Sequence, residues 1–133
     1  VYGGRCSSRM RYDRGYFRGK MAMLSVTAGS PEKAFQPFGR AGNMAQWLWP
    51  IHSSLYYVGF DVLAPQVNYG IQGGGIRYQE EAAMLRHLEA CKETWVSRLM
   101  SIGSEQPIPF TGWNDWDAEG VLRQTSPMRW RLA

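Results

Sequence analysis

The stretch that decides the fold is residues 20–30, KMAMLSVTAGS. Lys20–Thr27 is a continuous apolar, partly β-branched run, which is typical of a strand buried inside a parallel sheet. The run stops abruptly in the small residues of the turn Thr27–Ser30. Ligands of open α/β sheets bind outside the carboxyl ends of strands, where small residues let a flat ring approach the backbone. The turn is a candidate ligand site, and a plain connection between elements is the alternative.

The segments downstream of the turn predict a strand–helix–strand unit. Asn43 is a suitable N-cap for a helix that runs through Tyr57, and Pro50 predicts a kink inside it. A second apolar run, Phe60–Val67, predicts a parallel neighbour of the first strand, with Pro65 at a strand end. We expect the helix to face the sheet with Met44, Trp47, Leu48, Ile51 and Leu55.

A second, longer helix is predicted from about Arg77 to Ser101, after the glycines at 73–75 and before Gly103. Its expected inner stripe is Met84, Leu88, Cys91, Trp95 and Leu99. The remaining residues, 104–133, are aromatic and proline-bearing and show no clear period. We expect them to form an extended tail that packs on the domain or on a partner.

Five short motifs, in the same order, resemble the C-terminal half of the flavin-dependent NAD(P)H:quinone oxidoreductases of the DT-diaphorase type. The resemblance implies an α/β flavodoxin-like three-layer fold with a parallel sheet. Residues 1–103 would then be the C-terminal portion of such a domain, and Val1 would continue a preceding half. The motifs are Tyr12–Gly15 with Phe17–Lys20, Leu24–Gly29, Gly42–Met44, Leu48–Ile51 and Gly59–Gln66.

The resemblance implies a flavin site at the turn. Thr27, Ala28, Gly29 and Ser30 stand where the family has Thr-Thr-Gly-Gly, so Ala28 and Ser30 depart from the pattern. Backbone N–H groups would still face the N5 edge and the pyrimidine oxygen of the ring. Phe35 would line the same ring. The implied cofactor is FAD, with FMN as the alternative, and NAD(P)H is the implied co-substrate.

The catalytic positions implied by the resemblance carry altered chemistry. Phe35 and Ala41 stand where the animal enzymes have the Tyr and His that assist hydride transfer, and neither can donate a hydrogen bond. Hydride transfer depends mainly on close stacking, so activity would be weakened but not abolished. Arg40 would either place a cation near the ring or lie in a solvated loop.

The resemblance implies two further contacts, one with the substrate and one with the cofactor. Tyr2, Gly3 and Gly4 correspond to the loop against which a quinone or nicotinamide packs, with a core-facing tyrosine as the alternative. Arg86, with His87 beside it, lies near the position of the family's adenine-contacting arginine. His52 is more typical of a buried structural histidine than of a proton donor.

Composition bounds the remaining possibilities. A chain of 133 residues with 15 basic and 11 acidic residues holds at most one domain and carries a modest positive charge. The basic residues form no helical stripe, so anionic nicotinamide cofactors or a solvated face are better explanations than nucleic acid. Cys6 and Cys91 are far apart, which disfavours a metal cluster and indicates a reducing, cytoplasmic compartment. No apolar run approaches the length of a membrane span.

The leading functional hypothesis is an NAD(P)H-dependent flavoprotein that reduces quinones by two-electron hydride transfer through FAD. One alternative is a non-catalytic flavodoxin-like module for assembly or regulation, and another is an FMN-dependent azo- or nitroreductase. Large aromatic residues exceed what a small domain can bury, so we expect a homodimer. The aromatic residues that favour this assembly are Trp49, Tyr56, Trp113, Trp116 and Trp130.

Overall fold

The structure is a computed structural model that describes residues 7, 9–72, 80–127 and 129. Within it the chain divides into two compact units. The first comprises Val1–Met23, Ala45–Ala64 and Pro107–Ala133, and the second comprises Leu24–Met44 and Pro65–Gln106. Several predicted features lie outside the described residues, namely Tyr2, Gly3, Gly4, Cys6, Gly73–Gly75, Arg77 and Trp130.

Each unit is built on a pair of parallel strands. In the first unit β1 (Met21–Ala22) pairs with β3 (Asp61–Val62). In the second unit β2 (Ser25–Ala28) pairs with β4 (Gln66–Tyr69). The two predicted apolar runs are therefore confirmed as parallel neighbours, and each is split into two short strands.

The split coincides with Pro65. Ala22 pairs with Val62, and the next register partners are Ser25 and Gln66, so the second run carries one extra residue at the interruption. Proline has no N–H and cannot donate to a strand ladder. Pairing resumes directly after it, where the Gln66 N–H donates to the carbonyl oxygen of Leu24 at 2.8 Å.

Helix α1 (Met44–Tyr57) forms where it was predicted, but its inner face differs. Met44, Leu48 and His52 are 9%, 6% and 1% exposed and follow each other at intervals of four residues, which places them on one side. Trp47 and Ile51 are 63% and 49% exposed, so placing them in the inner stripe was wrong. The helix carries apolar residues on most of its circumference, and hydrophobic spacing alone does not select one face.

The carboxyl end of α1 depends on two glycines in contact. The N–H groups of Gly59 and Phe60 donate to the carbonyl oxygens of Tyr56 and Leu55, which is the Schellman pattern of a helix end. Gly59 has the positive φ of 106° that this pattern requires. A Cβ on Gly59 would lie 2.5 Å from the Cα of Gly15, so the two backbones approach too closely for any side chain.

Helix α2 (Glu81–Ser101) begins within the described residues after Glu80 and ends at the predicted residue. Leu88 and Leu99 are 38% and 44% exposed, so the predicted inner stripe is wrong at these two positions. The less exposed side combines three half-buried residues of the predicted stripe, Met84, Cys91 and Trp95, with the half-buried His87 and Arg98. The guanidinium of Arg98 donates to both carboxylate oxygens of Glu105 at 2.7 Å and to Oε1 of Gln66 at 3.2 Å.

The Arg98–Glu105 pair joins α2 to the short 3₁₀ helix that follows it, Ile102–Ser104. Hydrogen bonds from Arg98 lower the pKa of Glu105 below its usual value. No helix among the described residues has both the length and the apolarity needed to cross a membrane.

We predict that Gly59→Ala destabilises the chain by about 3 kcal/mol, because backbone strain adds to the clash with Gly15. Gly19 is the matched control, since it also has a positive φ (77°) but no atom of the described residues lies within 4 Å of its Cβ position. Gly19→Ala should cost about 1 kcal/mol from strain alone. Urea denaturation of both variants measures the difference, and equal losses would show that the close approach has no energetic consequence.

We predict that acidification destabilises the folded chain through His52. Burial lowers the pKa of His52 below 6.5, so the unfolded state binds a proton more readily. The contribution of neutral His52 to the free energy of unfolding is therefore fully present above pH 6.5 and is lost as the pH falls toward the pKa of the folded state. It amounts to about 1.4 kcal/mol for each unit by which the folded pKa lies below the unfolded pKa. Urea midpoints from about pH 7 to about pH 5 should fall more steeply for the wild type than for His52→Gln. Parallel pH profiles would contradict this role of His52.

Candidate functional site

The turn after β2 lies at the carboxyl end of the β2–β4 pair in the second unit. Its carbonyl groups are held by the segment that follows β4. The N–H of Ile71 donates to the carbonyl oxygen of Ala28 at 3.0 Å, and the N–H of Gly70 donates to that of Ser30 at 3.1 Å. Gly70 has a φ of 70°, which lets the chain bend back to make these bonds. The turn is thus fixed through its oxygens.

The N–H groups of the same turn remain available. Among the residues that the structure describes, those of Gly29 and Ser30 donate no hydrogen bond. Gly29 is exposed, and within the described ranges the nearest atom to a Cβ placed on it would be the carbonyl oxygen of Ile71 at 3.7 Å. Backbone donors beside open space can bind the polar edge of a flat ring. Thr27 is exposed and Ala28 half-buried at the same strand end.

The loop that follows the turn, residues 31–42, is held by hydrogen bonds between its own residues. The N–H of Ala41 donates to the carbonyl oxygen of the buried Ala34 at 2.9 Å. A Cβ on Gly39 would clash with that oxygen, so only glycine fits there. Phe35 is half-buried, and its ring centroid lies 5.6 Å from that of Tyr69. This packing fixes the Phe35 ring near the strand ends.

The structure therefore brings together the turn and Phe35, because Tyr69 is the register partner of Ala28. Burial, and secondarily the charge of Glu32, raise the pKa of Tyr69. The phenol of Tyr69 thus stays protonated at neutral pH. Ala41, the second predicted catalytic position, is half-buried, and its N–H is used within the loop. Arg40 is exposed.

The remaining predicted site residues are not assembled with the turn. Arg86 is exposed on α2, and within the described ranges no contact joins it to residues 27–30. Its neighbour His87 instead contacts the end of β4, with Nε2 lying 2.6 Å from the carbonyl oxygen of Tyr69. Tyr2, Gly3 and Gly4 lie outside the described residues.

Sequence reasoning missed a cavity of about 530 Å³ in the second unit. There, Sγ of Cys91 lies 3.7 Å from Nε2 of His87, a weak contact that the four-residue spacing on one helix makes possible. The four-residue spacing of His87 and Cys91 was the sequence signal from which this contact could have been predicted. No three His, Cys, Asp or Glu side chains of the described part of the chain are grouped as a metal site. The cavity is lined by Pro31, Glu32, Gln66, Val67, Asn68, Tyr69, Gly70, His87, Ala90, Cys91 and Thr94.

Comparison with known proteins adds an independent line of observation. The sequence model of a family described as having a flavodoxin-like fold matches residues 4–93. The chain is 36% identical over 101 residues to ribosyldihydronicotinamide dehydrogenase [quinone] of Mus musculus, covering 75% of the chain and 40% of the relative. It is 38% identical over 100 residues to NAD(P)H dehydrogenase [quinone] 1 of Cavia porcellus, covering 74% and 33%.

A similar solved structure comes from Klebsiella pneumoniae and bears the provisional name quinone reductase. It superposes with a TM-score of 0.73 at 33% identity, over 92% of this chain and 46% of that one. The predicted flavodoxin-like fold and the resemblance to quinone oxidoreductases are confirmed by these matches. The chain spans less than half the length of the relatives and of the structure that it matches.

Proposed function

Since the chain belongs to the flavodoxin-like fold family, we propose that it forms part of an NAD(P)H-dependent flavoprotein that reduces quinones. The observation that carries the proposal is the turn at residues 27–30. It stands at the carboxyl end of two parallel strands, where the N–H groups of Gly29 and Ser30 donate to no described residue and Gly29 is exposed. In open α/β sheets this is where ligands bind.

The residues present fit a flavin. The N–H groups of Gly29 and Ser30 would donate to the polar edge of the ring, and the absent side chain of Gly29 leaves room for the ring face. Phe35, fixed against Tyr69, would supply an apolar wall. A flavin bound there supplies the two-electron chemistry, accepting hydride from NAD(P)H and passing the electrons to a quinone. FAD is the proposed form.

Phe35 and Ala41 would affect the rate of hydride transfer rather than the binding of the flavin. A phenyl ring and a methyl group offer no proton and no hydrogen bond to charge that develops on the ring. The backbone donors of the turn would therefore provide the electrostatic stabilisation by themselves. We expect slower turnover than in relatives with donor side chains at these two positions.

The same two residues favour one alternative. A chain without donor side chains at the catalytic positions also suits a non-catalytic flavodoxin-like module used in assembly or regulation. A further alternative is an FMN-dependent azo- or nitroreductase. The flavin released from the purified protein distinguishes these functions, because FAD favours the quinone reductase, FMN the azo- or nitroreductase, and no flavin the non-catalytic module.

We further propose that the protein is a homodimer in the cytoplasm, with α1 at the interface. The helix contains no Asp, Glu, Lys or Arg, and its outer face exposes Trp47 and Ile51. Uncharged surfaces with large aromatic residues are typical of the centres of protein interfaces. The placement of the tail, residues 104–133, on the domain or on a partner belongs to the same proposal, as do the contacts of Tyr2, Gly3 and Gly4 with substrate and of Arg86 with the cofactor.

We predict that Gly29→Val lowers the flavin content of the purified protein about tenfold or more, because the branched side chain occupies the space above the turn. The fold should persist, since among the described residues the only neighbour within 4 Å of the added Cβ is the carbonyl oxygen of Ile71. Visible absorbance per chain measures flavin, and circular dichroism measures folding.

Gly103→Val is the matched control, because nothing in the part of the chain that the structure describes lies within 4 Å of the Cβ position of Gly103. This variant should retain flavin as the wild type does. Full flavin content in Gly29→Val would exclude the turn as the flavin site, whereas a colourless wild type would overturn the proposed function itself.

We predict that Trp47→Glu converts the dimer to a monomer, because a carboxylate cannot be buried unpaired in an apolar interface. Leu85→Glu is the control, since Leu85 is exposed to a similar degree, 57% against 63%, but lies on α2. Sedimentation at micromolar concentration should give a dimer for the wild type and for the control. A wild-type monomer, or a dimer that survives Trp47→Glu, would refute the α1 interface.

A further inference from the structure

The turn at residues 27–30 has its carbonyl oxygens occupied and its donors available. The carbonyl oxygens of residues 28–30 each accept a hydrogen bond from the segment at residues 70–72, at 3.0, 3.4 and 3.1 Å in chain order. The donors of these bonds are two backbone N–H groups and the side-chain amide of Gln72. The turn therefore presents hydrogen-bond donors, and a matching ligand supplies the acceptors.

The hydroxyl of Ser30 adds a third donor to the N–H groups of Gly29 and Ser30. The Ser30 side chain is half-buried, and within the described part of the chain its hydroxyl makes no hydrogen bond. Oγ of a serine is separated from the nitrogen of its own residue by three bonds, so both can lie on the same side of the residue. A ligand edge that accepts the N–H of Ser30 is therefore within reach of the hydroxyl as well.

The backbone that carries this hydroxyl is held on both sides of Ser30. Its carbonyl oxygen accepts the hydrogen bond from Gly70 at 3.1 Å. The next residue is Pro31, and a proline restricts the residue before it to extended conformations. Pro31 is fixed in turn, because its carbonyl oxygen accepts the N–H of the buried Ala34 at 2.9 Å at the start of the 3₁₀ helix Glu32–Phe35. A hydroxyl on a fixed backbone is a preorganised donor with a few side-chain rotamers to choose from.

Hydride transfer to a flavin creates a use for such a donor. The hydride carries two electrons and a proton from the nicotinamide to the flavin, so the nicotinamide becomes a cation and the flavin gains negative charge. Donors fixed at the polar edge of the flavin lower the energy of that charge. The side chains of Phe35 and Ala41 offer no donor. Ser30 departs from the glycine of the family pattern, and its side chain brings a donor into the turn itself.

We propose that the Ser30 hydroxyl donates a hydrogen bond to the polar edge of the bound flavin and assists hydride transfer in place of the donors absent at residues 35 and 41. This role rests on the proposed function, because it requires a flavin at the turn. The hydrogen bond strengthens as negative charge develops on its acceptor. Loss of the hydroxyl therefore weakens the binding of reduced flavin more than that of oxidised flavin.

The test compares Ser30→Ala, which removes the hydroxyl, with Ser30→Thr, which keeps one, in the full-length chain loaded with FAD. Equilibration with a redox dye gives the midpoint potential of the bound flavin, and stopped-flow absorbance gives the rate of its reduction by NADH and by NADPH. Ser30→Ala should favour oxidised over reduced flavin about tenfold more than the wild type does, which lowers the two-electron potential by about 30 mV. Flavin reduction should slow by about tenfold. Ser30→Thr should stay within about threefold of the wild type in both measurements.

Ser25→Ala is the matched control, because Ser25 is exposed on the same strand, β2, where it pairs with Gln66 away from the turn. Its potential and reduction rate should equal those of the wild type. A flavin-loaded Ser30→Ala with the wild-type potential, or a Ser30→Thr that loses as much as Ser30→Ala, would overturn the role of the hydroxyl and leave the proposed function standing. A wild type that binds no added FAD would overturn both.

Discussion

Parallel pairing between residues 21–28 and residues 61–69 is the constraint on which the rest of the structure depends. Parallel strands need a crossover connection, and α1 supplies it. The pairing also aligns the carboxyl ends of β2 and β4, which is why Ala28 stands beside Tyr69 and why the turn after Ala28 is held by Gly70 and Ile71. The candidate flavin site is a consequence of this register.

Polar contacts act together with half-buried apolar residues to orient α2. The guanidinium of Arg98 donates to the carboxylate of Glu105 and to the amide oxygen of a glutamine, and the imidazole of His87 lies against a backbone carbonyl oxygen. These contacts satisfy polar groups that would be costly to bury without a partner. Once Arg98 and His87 face inward, Leu88 and Leu99 must turn outward, because residues one position apart on a helix lie on different faces. The exposed leucines of α2 therefore follow from the contacts of their polar neighbours.

The described part of the tail, residues 104–127, is ordered by short hydrogen-bonded turns and by the 3₁₀ helix Trp113–Asp115. The carboxylate of Asp117 accepts hydrogen bonds from the N–H groups of Glu119 and Val121, and the Asp13 carboxylate accepts one from Trp113. The Asp13 bond ties Trp113 to a residue far away in sequence, whereas the Asp117 bonds close a local turn before Val121. An aromatic cavity of about 700 Å³ in the first unit, lined by Tyr56 and Phe110 among other residues, exists because such turns hold a proline- and aromatic-rich segment against α1.

The sequence by itself determined the two parallel runs, the span of α1 and the position of the turn at Thr27–Ser30, because continuous apolar runs, an N-cap and small residues are local signals. Only the tertiary structure decided which sides of α1 and α2 face inward, and that His87 rather than Arg86 meets the end of β4. It also decided where the aromatic residues of the tail form a cavity. The physical reason is that these features depend on partners distant in sequence, such as Tyr69 for His87 and Thr111 for Tyr56, and no local pattern specifies such partners.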